Sequence, residues 1–313
     1  MMGMTDFKPL GEYDRRAIID ALAAGTLEMP LGHFTARIKA QVNTLVDFLY
    51  DTYRDVPVKT ELSDVTDISI HLRAPSILRK YIRTQVIPDP GFQVPAVPLP
   101  TSMAALAFEM GVNLVVALKC CRFVSCHAGV VANEKGAIFM CANSGGGKST
   151  LVSVLMEDGY RLLSDEFGLL CMESASLAAY PRPVSLKNVS IDIVRQLSGK
   201  EWISPELSGT PKGKIAYRRA RPDDINKAHL SAPAKLILFP SFNPIGGHYA
   251  RRLSVSEAVM RLIPSSTNYH LLGEKAYLAL TKMVAGAEVY EIAYRSTDES
   301  LTIVRDLAVK VGL

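Results

Sequence analysis

Residues 137–155 read Ala-Ile-Phe-Met-Cys-Ala-Asn-Ser-Gly-Gly-Gly-Lys-Ser-Thr-Leu-Val-Ser-Val-Leu. An apolar run enters a glycine-rich loop, and a second apolar run leaves it. No other stretch restricts the fold so much. A strand, a glycine loop and a helix in that order bring successive backbone N–H groups and a helix N-terminus to one point, where they cradle a phosphate. Glycine lets the backbone turn inward without Cβ clashes. The cradle is expected over Asn143, Ser144, Gly145, Gly146, Gly147, Lys148, Ser149 and Thr150. Lys148 is placed to reach the β- and γ-phosphates of a nucleotide, and the Ser149 hydroxyl to hold Mg²⁺. The usual pattern starts with Gly, but this chain has Ala142, so the backbone there must avoid positive φ.

The next apolar strand, from Tyr160 to Ser164, ends in Asp165-Glu166, sixteen residues beyond Ser149. That interval fits a three-turn helix, a stop at Gly159 and one strand, which predicts Asp165 on the strand beside the loop. Nucleotide-bound Mg²⁺ needs a carboxylate near there. Successive strand residues face opposite sides, so the two acids can divide the work, one on metal and one as a base. His127 lies in Val124-Ser-Cys-His-Ala-Gly-Val130, twenty-one residues before Lys148. The segments Arg122–Val131 and Gly136–Cys141, joined by a turn at 133–136, read as a hairpin that returns His127 toward the loop. A histidine there can orient a carboxylate base. The other five histidines, His33, His71, His229, His248 and His270, show no ligand spacing.

The chain is long enough for two domains: 313 residues, 48% hydrophobic and 21% charged. Its net charge of +4 is too small to imply nucleic-acid binding, and Arg218-Arg219 and Arg251-Arg252 read as solvated faces without interleaved aromatics. Five cysteines with no C-x-x-C pair argue against a disulfide or zinc framework and for a reducing, cytoplasmic setting. The first residues lack the apolar core of a signal peptide. The most apolar window, 103–121, is interrupted by Glu109, Asn113 and Lys119, which favours a buried helix over a membrane span.

Helical spacing predicts helices over 14–24, 42–53 and 102–119, with strands at 34–38 and 68–72. Five prolines between Pro88 and Pro100 read as an extended connector. The expected organisation is an α+β domain over 1–120 and an α/β domain over 121–313. Within the latter, strands are expected at 235–239 and 288–293, and helices at 255–263, 274–284 and 298–309. Pro181 and Pro183 hold 180–188 extended, where Arg182 and Lys187 could clamp phosphate and Asn188 could bond an acceptor. Lys212, in Thr-Pro-Lys-Gly-Lys, reads as part of a mobile loop.

Taken together, His127-Ala-Gly-Val-Val131, the loop 142–150, Arg161-Leu-Leu-Ser-Asp-Glu166 and Pro181-Arg-Pro-Val-Ser-Leu-Lys-Asn188 make the chain resemble the HPr kinase/phosphorylase superfamily, in particular the HPr kinase-related kinase A group. The resemblance covers 120–313 most specifically. It implies a P-loop kinase domain akin to HPr kinase and phosphoenolpyruvate carboxykinase, using ATP and Mg²⁺. It also implies that Asp165 is the metal acid and Glu166 the general base, a position that is Asp in HPr kinase, with His127 as the active-site histidine. Neither the phosphorylase activity nor HPr as substrate is carried over. The expected acceptor is a hydroxyl of a protein, peptide or small molecule, with residues 1–120 as a substrate-docking domain. No nucleic-acid or membrane partner is expected, and a homo-oligomer stays open. An ATPase and a non-catalytic nucleotide-binding scaffold are the alternative readings.

Overall fold

The computed structural model describes residues 7–62, 65–94, 96–142 and 145–313. The fold is mixed α/β, in two compact units that meet between Leu118 and Lys119. In the first unit, strands Phe34–Ala40 and Ile68–Arg73 run parallel and are joined through helix Asn43–Thr52. A parallel pair needs such a crossover. Leu27–Leu31 pairs on one flank, and Gln85–Asp89 followed by Leu99–Pro100 on the other. Alternation drives the sheet: Phe34, Ala36, Ile38 and Ala40 are buried, while Lys39 points out.

The proline run is not simply a connector. Val86, Pro88 and Pro90 alternate with more exposed neighbours, and Pro88 sits in a strand opposite Leu72. Prolines masked a period of two, and Pro95 lies outside the described residues. The helical stretch Thr101–Lys119, which includes α-helix Ala104–Lys119, is apolar and long enough to cross a membrane, yet Ala104, Phe108, Val112 and Val116 are buried in the protein. Its Glu109 is buried too, accepting a hydrogen bond from the Tyr53 hydroxyl at 2.6 Å.

The second unit is built on one sheet that has nine strands among the described residues. The strand before the glycine loop, Ala137–Met140, lies between Gly129–Ala132, antiparallel, and Ala232–Phe242, parallel. Glu288–Tyr294 extends the parallel part. Both faces are covered. Ala137, Phe139 and Cys141 join one core, against helices Val255–Leu262 and Glu274–Ala285. Ile138 and Met140 join the other, with helices Lys148–Glu157, Val189–Ser198 and Thr297–Lys310. A strand buried on both faces reads as a continuous apolar run, as this one does. Strands Val184–Lys187, Gly213–Arg218 and Leu207–Thr210 form a separate small sheet.

Three sequence expectations are corrected here. The segment 122–131 is not one strand: Phe123–His127 pairs with Phe167–Cys171, and only Gly129–Ala132 belongs to the hairpin. The acid-bearing strand Arg161–Ser164 is not next to the loop strand either, because Gly129–Ala132 lies between them. Arg218, expected on a solvated face, is 1% exposed and pairs with Glu157, while its Nε donates to Ser198 Oγ at 3.0 Å. Arg251 and Arg252 pair with Glu291 and Glu288 on the surface.

Arg218 is buried while Glu157 keeps contact with solvent, so removing the arginine empties a packed site and strands no buried charge. Arg218→Ala is therefore expected to cost about 2 kcal/mol, read as a lower denaturant midpoint for the second unit.

Candidate active site

Helix Lys148–Glu157 begins on Gly147, whose φ of 84° is left-handed. Any Cβ there would lie 2.6 Å from the Tyr294 hydroxyl oxygen, so only glycine fits on both counts. No side chain among the described residues caps this N-terminus. Its first N–H groups are left for a ligand, at the positive end of the helix dipole. Ala142 keeps a negative φ, as the loop pattern required. Asn143 and Ser144 lie outside the described residues. Gly129 brings the neighbouring strand close: a Cβ there would stand 2.5 Å from Val152 Cγ2 and 3.3 Å from Lys148 Cγ. The Lys148 stem packs in that gap, and the residue is only 8% exposed.

Lys148 Nζ stands 3.2 Å from His127 Nε2. An ammonium only donates, so Nε2 accepts and the proton of a neutral ring sits on Nδ1. That Nδ1 is 3.5 Å from Glu166 Oε1. On the other side, the Ser149 hydroxyl donates to Asp165 Oδ2 at 2.9 Å, and Ser185 N–H donates to the same oxygen at 3.3 Å. Asp165 Oδ1 is buried and has no hydrogen-bond partner among the described residues. The two acids thus part ways: Asp165 is 5% exposed and faces the loop helix, while Glu166 is half-exposed at the cleft.

The cleft encloses about 330 Å³ and is lined by the loop, His127, Glu166, Lys187 and Asn188. Burial pushes the Asp165 carboxyl above its ordinary range, and Glu166 adds to this; Lys148 and the two hydrogen bonds pull the other way without cancelling it. Burial lowers His127, and the Lys148 charge lowers it further against the pull of Glu166. Lys187 is also lowered, chiefly by burial and then by Lys212.

Some expected contacts are absent. Arg182 does not line the cleft; it is 5% exposed, with Nη1 donating to the Tyr180 hydroxyl at 3.0 Å and its guanidinium over that ring. Asn188 reaches the cleft, but its amide is committed: Nδ2 donates to Lys212 O at 3.2 Å and Oδ1 accepts from Lys214 N–H at 3.1 Å. Those bonds tie Asn188 to the turn that carries Lys212. Phe242 and Tyr294 escaped the sequence reading. They end two parallel strands, stand 6.0 Å apart and form an aromatic wall beside the loop. The strand expectations stopped at 239 and 293, just short of both.

No three metal-ligating side chains from His, Cys, Asp or Glu cluster among the described residues. Mg²⁺ needs no such cluster, since it keeps waters and phosphate oxygens and takes one or two carboxylates. The unpartnered Asp165 oxygen with the Ser149 hydroxyl beside it is a hard-oxygen donor set that fits it.

No family model matches the chain, and neither does any curated protein. Among solved structures the chain is similar to the HPr(Ser) kinase/phosphatase from Coxiella burnetii, at 15% identity over 60% of this chain and 99% of that chain, with a TM-score of 0.24. A likeness that distant does not carry activity across, so the chemistry is read from the side chains.

Two outcomes are expected. In a histidine NMR titration, His127 should titrate below the ordinary value of about 6.5. Its neutral form then stabilises the fold above that value, and the contribution is lost as pH falls toward the lowered one; titration at or above about 6.5 would refute the arrangement. For Asp165 the sign is reversed. Its ionisation costs stability as pH rises from the ordinary carboxylate value to the raised one. Asp165→Asn should therefore melt higher than the parent without nucleotide, and should lose the further rise that Mg²⁺ with ATP gives the parent.

Proposed function

We propose that the chain is a phosphotransferase that uses ATP and Mg²⁺ to place a γ-phosphoryl group on a hydroxyl, of serine/threonine type, in a protein, peptide or small molecule. In this reading residues 121–313 are a P-loop kinase domain. The observation that carries it is the connected set Lys148, His127 and Glu166, beside a second carboxylate, Asp165, that is bonded to Ser149 instead. A site that only binds nucleotide has no use for a second carboxylate held on a neutral imidazole.

The loop N–H groups and Lys148 bind the phosphates and neutralise charge as it moves toward the β–γ bridging oxygen. Ser149 and Asp165 would hold Mg²⁺, which supplies charge neutralisation at the phosphates when bound. His127, neutral and protonated on Nδ1, holds the Glu166 carboxylate at the cleft. Glu166 takes the acceptor's hydroxyl proton as the acceptor oxygen bonds to the γ-phosphorus and the bond to ADP breaks. Lys187 faces the same space as a further cation. Positioning and fixed charge carry most of the rate, because this transition state needs little covalent help. The Phe242–Tyr294 wall offers flat apolar surface to a base.

The test is incubation of the full chain with γ-labelled ATP, Mg²⁺ and a panel of hydroxyl acceptors. Label in an acceptor supports the reading; free phosphate alone makes the chain an ATPase, and neither product makes it a binding module. Lys148→Ala should abolish transfer. Glu166→Gln should keep nucleotide affinity and lose about 10²–10⁴ in turnover, the usual worth of a general base.

A further inference from the structure

The first unit has a crevice of about 700 Å³ at the carboxyl ends of its two parallel strands, Phe34–Ala40 and Ile68–Arg73. Lys39, His71, Arg73, Arg79 and Lys80 line it, and no Asp or Glu does. Arg73 is paired with Asp89 at 2.6 Å. Lys39, Arg79 and Lys80 have no ion-pair partner among the described residues. The crossover helix Asn43–Thr52 also opens here, with no side-chain cap and no acid in its first turn. Beside the crevice, helix Ile77–Tyr81 buries none of its residues. Ile77, Leu78, Tyr81 and Ile82 are 84%, 60%, 72% and 57% exposed. A contiguous apolar patch beside unpaired cations marks a contact surface rather than an idle one.

We propose that this crevice docks an acidic polypeptide segment whose carboxylates meet Lys39, Arg79 and Lys80 and whose apolar side chains cover Ile77, Leu78, Tyr81 and Ile82. Charge complementarity selects the occupant. A small anion would call for buried donors converging on one point, whereas Lys39, Arg73 and Lys80 are exposed and spread along the crevice. A lipid surface suits a long amphipathic helix on a convex face. Here the apolar helix spans only five residues, and the cations line a concavity. The site is complete within the first unit, so it does not depend on the phosphoryl-transfer reading.

The experiment is fluorescence anisotropy of the full chain with a labelled peptide of four Asp-Leu-Glu repeats. Saturable binding is expected, weakened about tenfold by the combined change Lys39→Glu and Lys80→Glu. It should weaken similarly with Ile77→Ser and Leu78→Ser together, and at about 0.5 M salt. Lys275→Glu and Lys310→Glu together, the same charge change on two helices of the second unit, should bind as the parent does. Unchanged melting curves show that the variants fold. No binding, binding indifferent to both double variants, equal binding of a Lys-Leu-Lys repeat peptide, full displacement by inorganic phosphate at the peptide's own concentration, or binding to phosphatidylserine vesicles in place of the peptide would each overturn the proposal.

Discussion

Everything at the cleft follows from how little room there is at Gly147. A backbone that turns left-handed under the Tyr294 hydroxyl lets Gly146 and Gly147 lie against Phe242 and Tyr294 at the ends of two parallel strands. It also starts the helix without a side-chain cap among the described residues. Gly129 does the same one strand over, letting the sheet approach the helix closely enough to bury the lysine stem. The result is an ammonium with little water around it and few degrees of freedom. Its neighbours are then set by charge: an imidazole that stays neutral beside it, and a carboxyl drawn toward it despite the cost of burial.

That cost explains the division between the acids. Asp165 gives up hydration and regains only part of it from Ser149 and Ser185, leaving one oxygen unmet among the described residues. Such a group persists because the sheet and loop helix fix it, a local loss offset by packing elsewhere. Glu166, one residue on, faces the other way and keeps contact with solvent. Two adjacent carboxylates thus acquire different environments at the bend between strands Arg161–Ser164 and Phe167–Cys171.

The sequence made the loop, its helix and the acids readable because each rests on local chemistry. Glycines, an apolar run on either side and a sixteen-residue interval are all visible without long-range information. What it hid was set by distant contacts. The break at Ala128 follows from Phe123–His127 pairing with Phe167–Cys171, a partner forty residues away in the chain. His127 still arrives at Lys148, though by a different route from the one its spacing suggested. Arg218 looked like half of a surface dipeptide, and only the fold supplies Glu157 and Ser198 around it. Phe242 and Tyr294 belonged to strands whose ends could not be fixed from alternation alone.

Asn188 has a consequence for the cleft. Its φ of 51° places it in a conformation few side chains tolerate, and its amide grips the backbone on both sides of Gly213. Strand Val184–Lys187 and the hairpin tip are thereby riveted into one jaw, with Lys187 on its inner edge and Lys212 at its point. Any shift of the hairpin tip is thereby passed to the strand that carries Lys187 at the cleft.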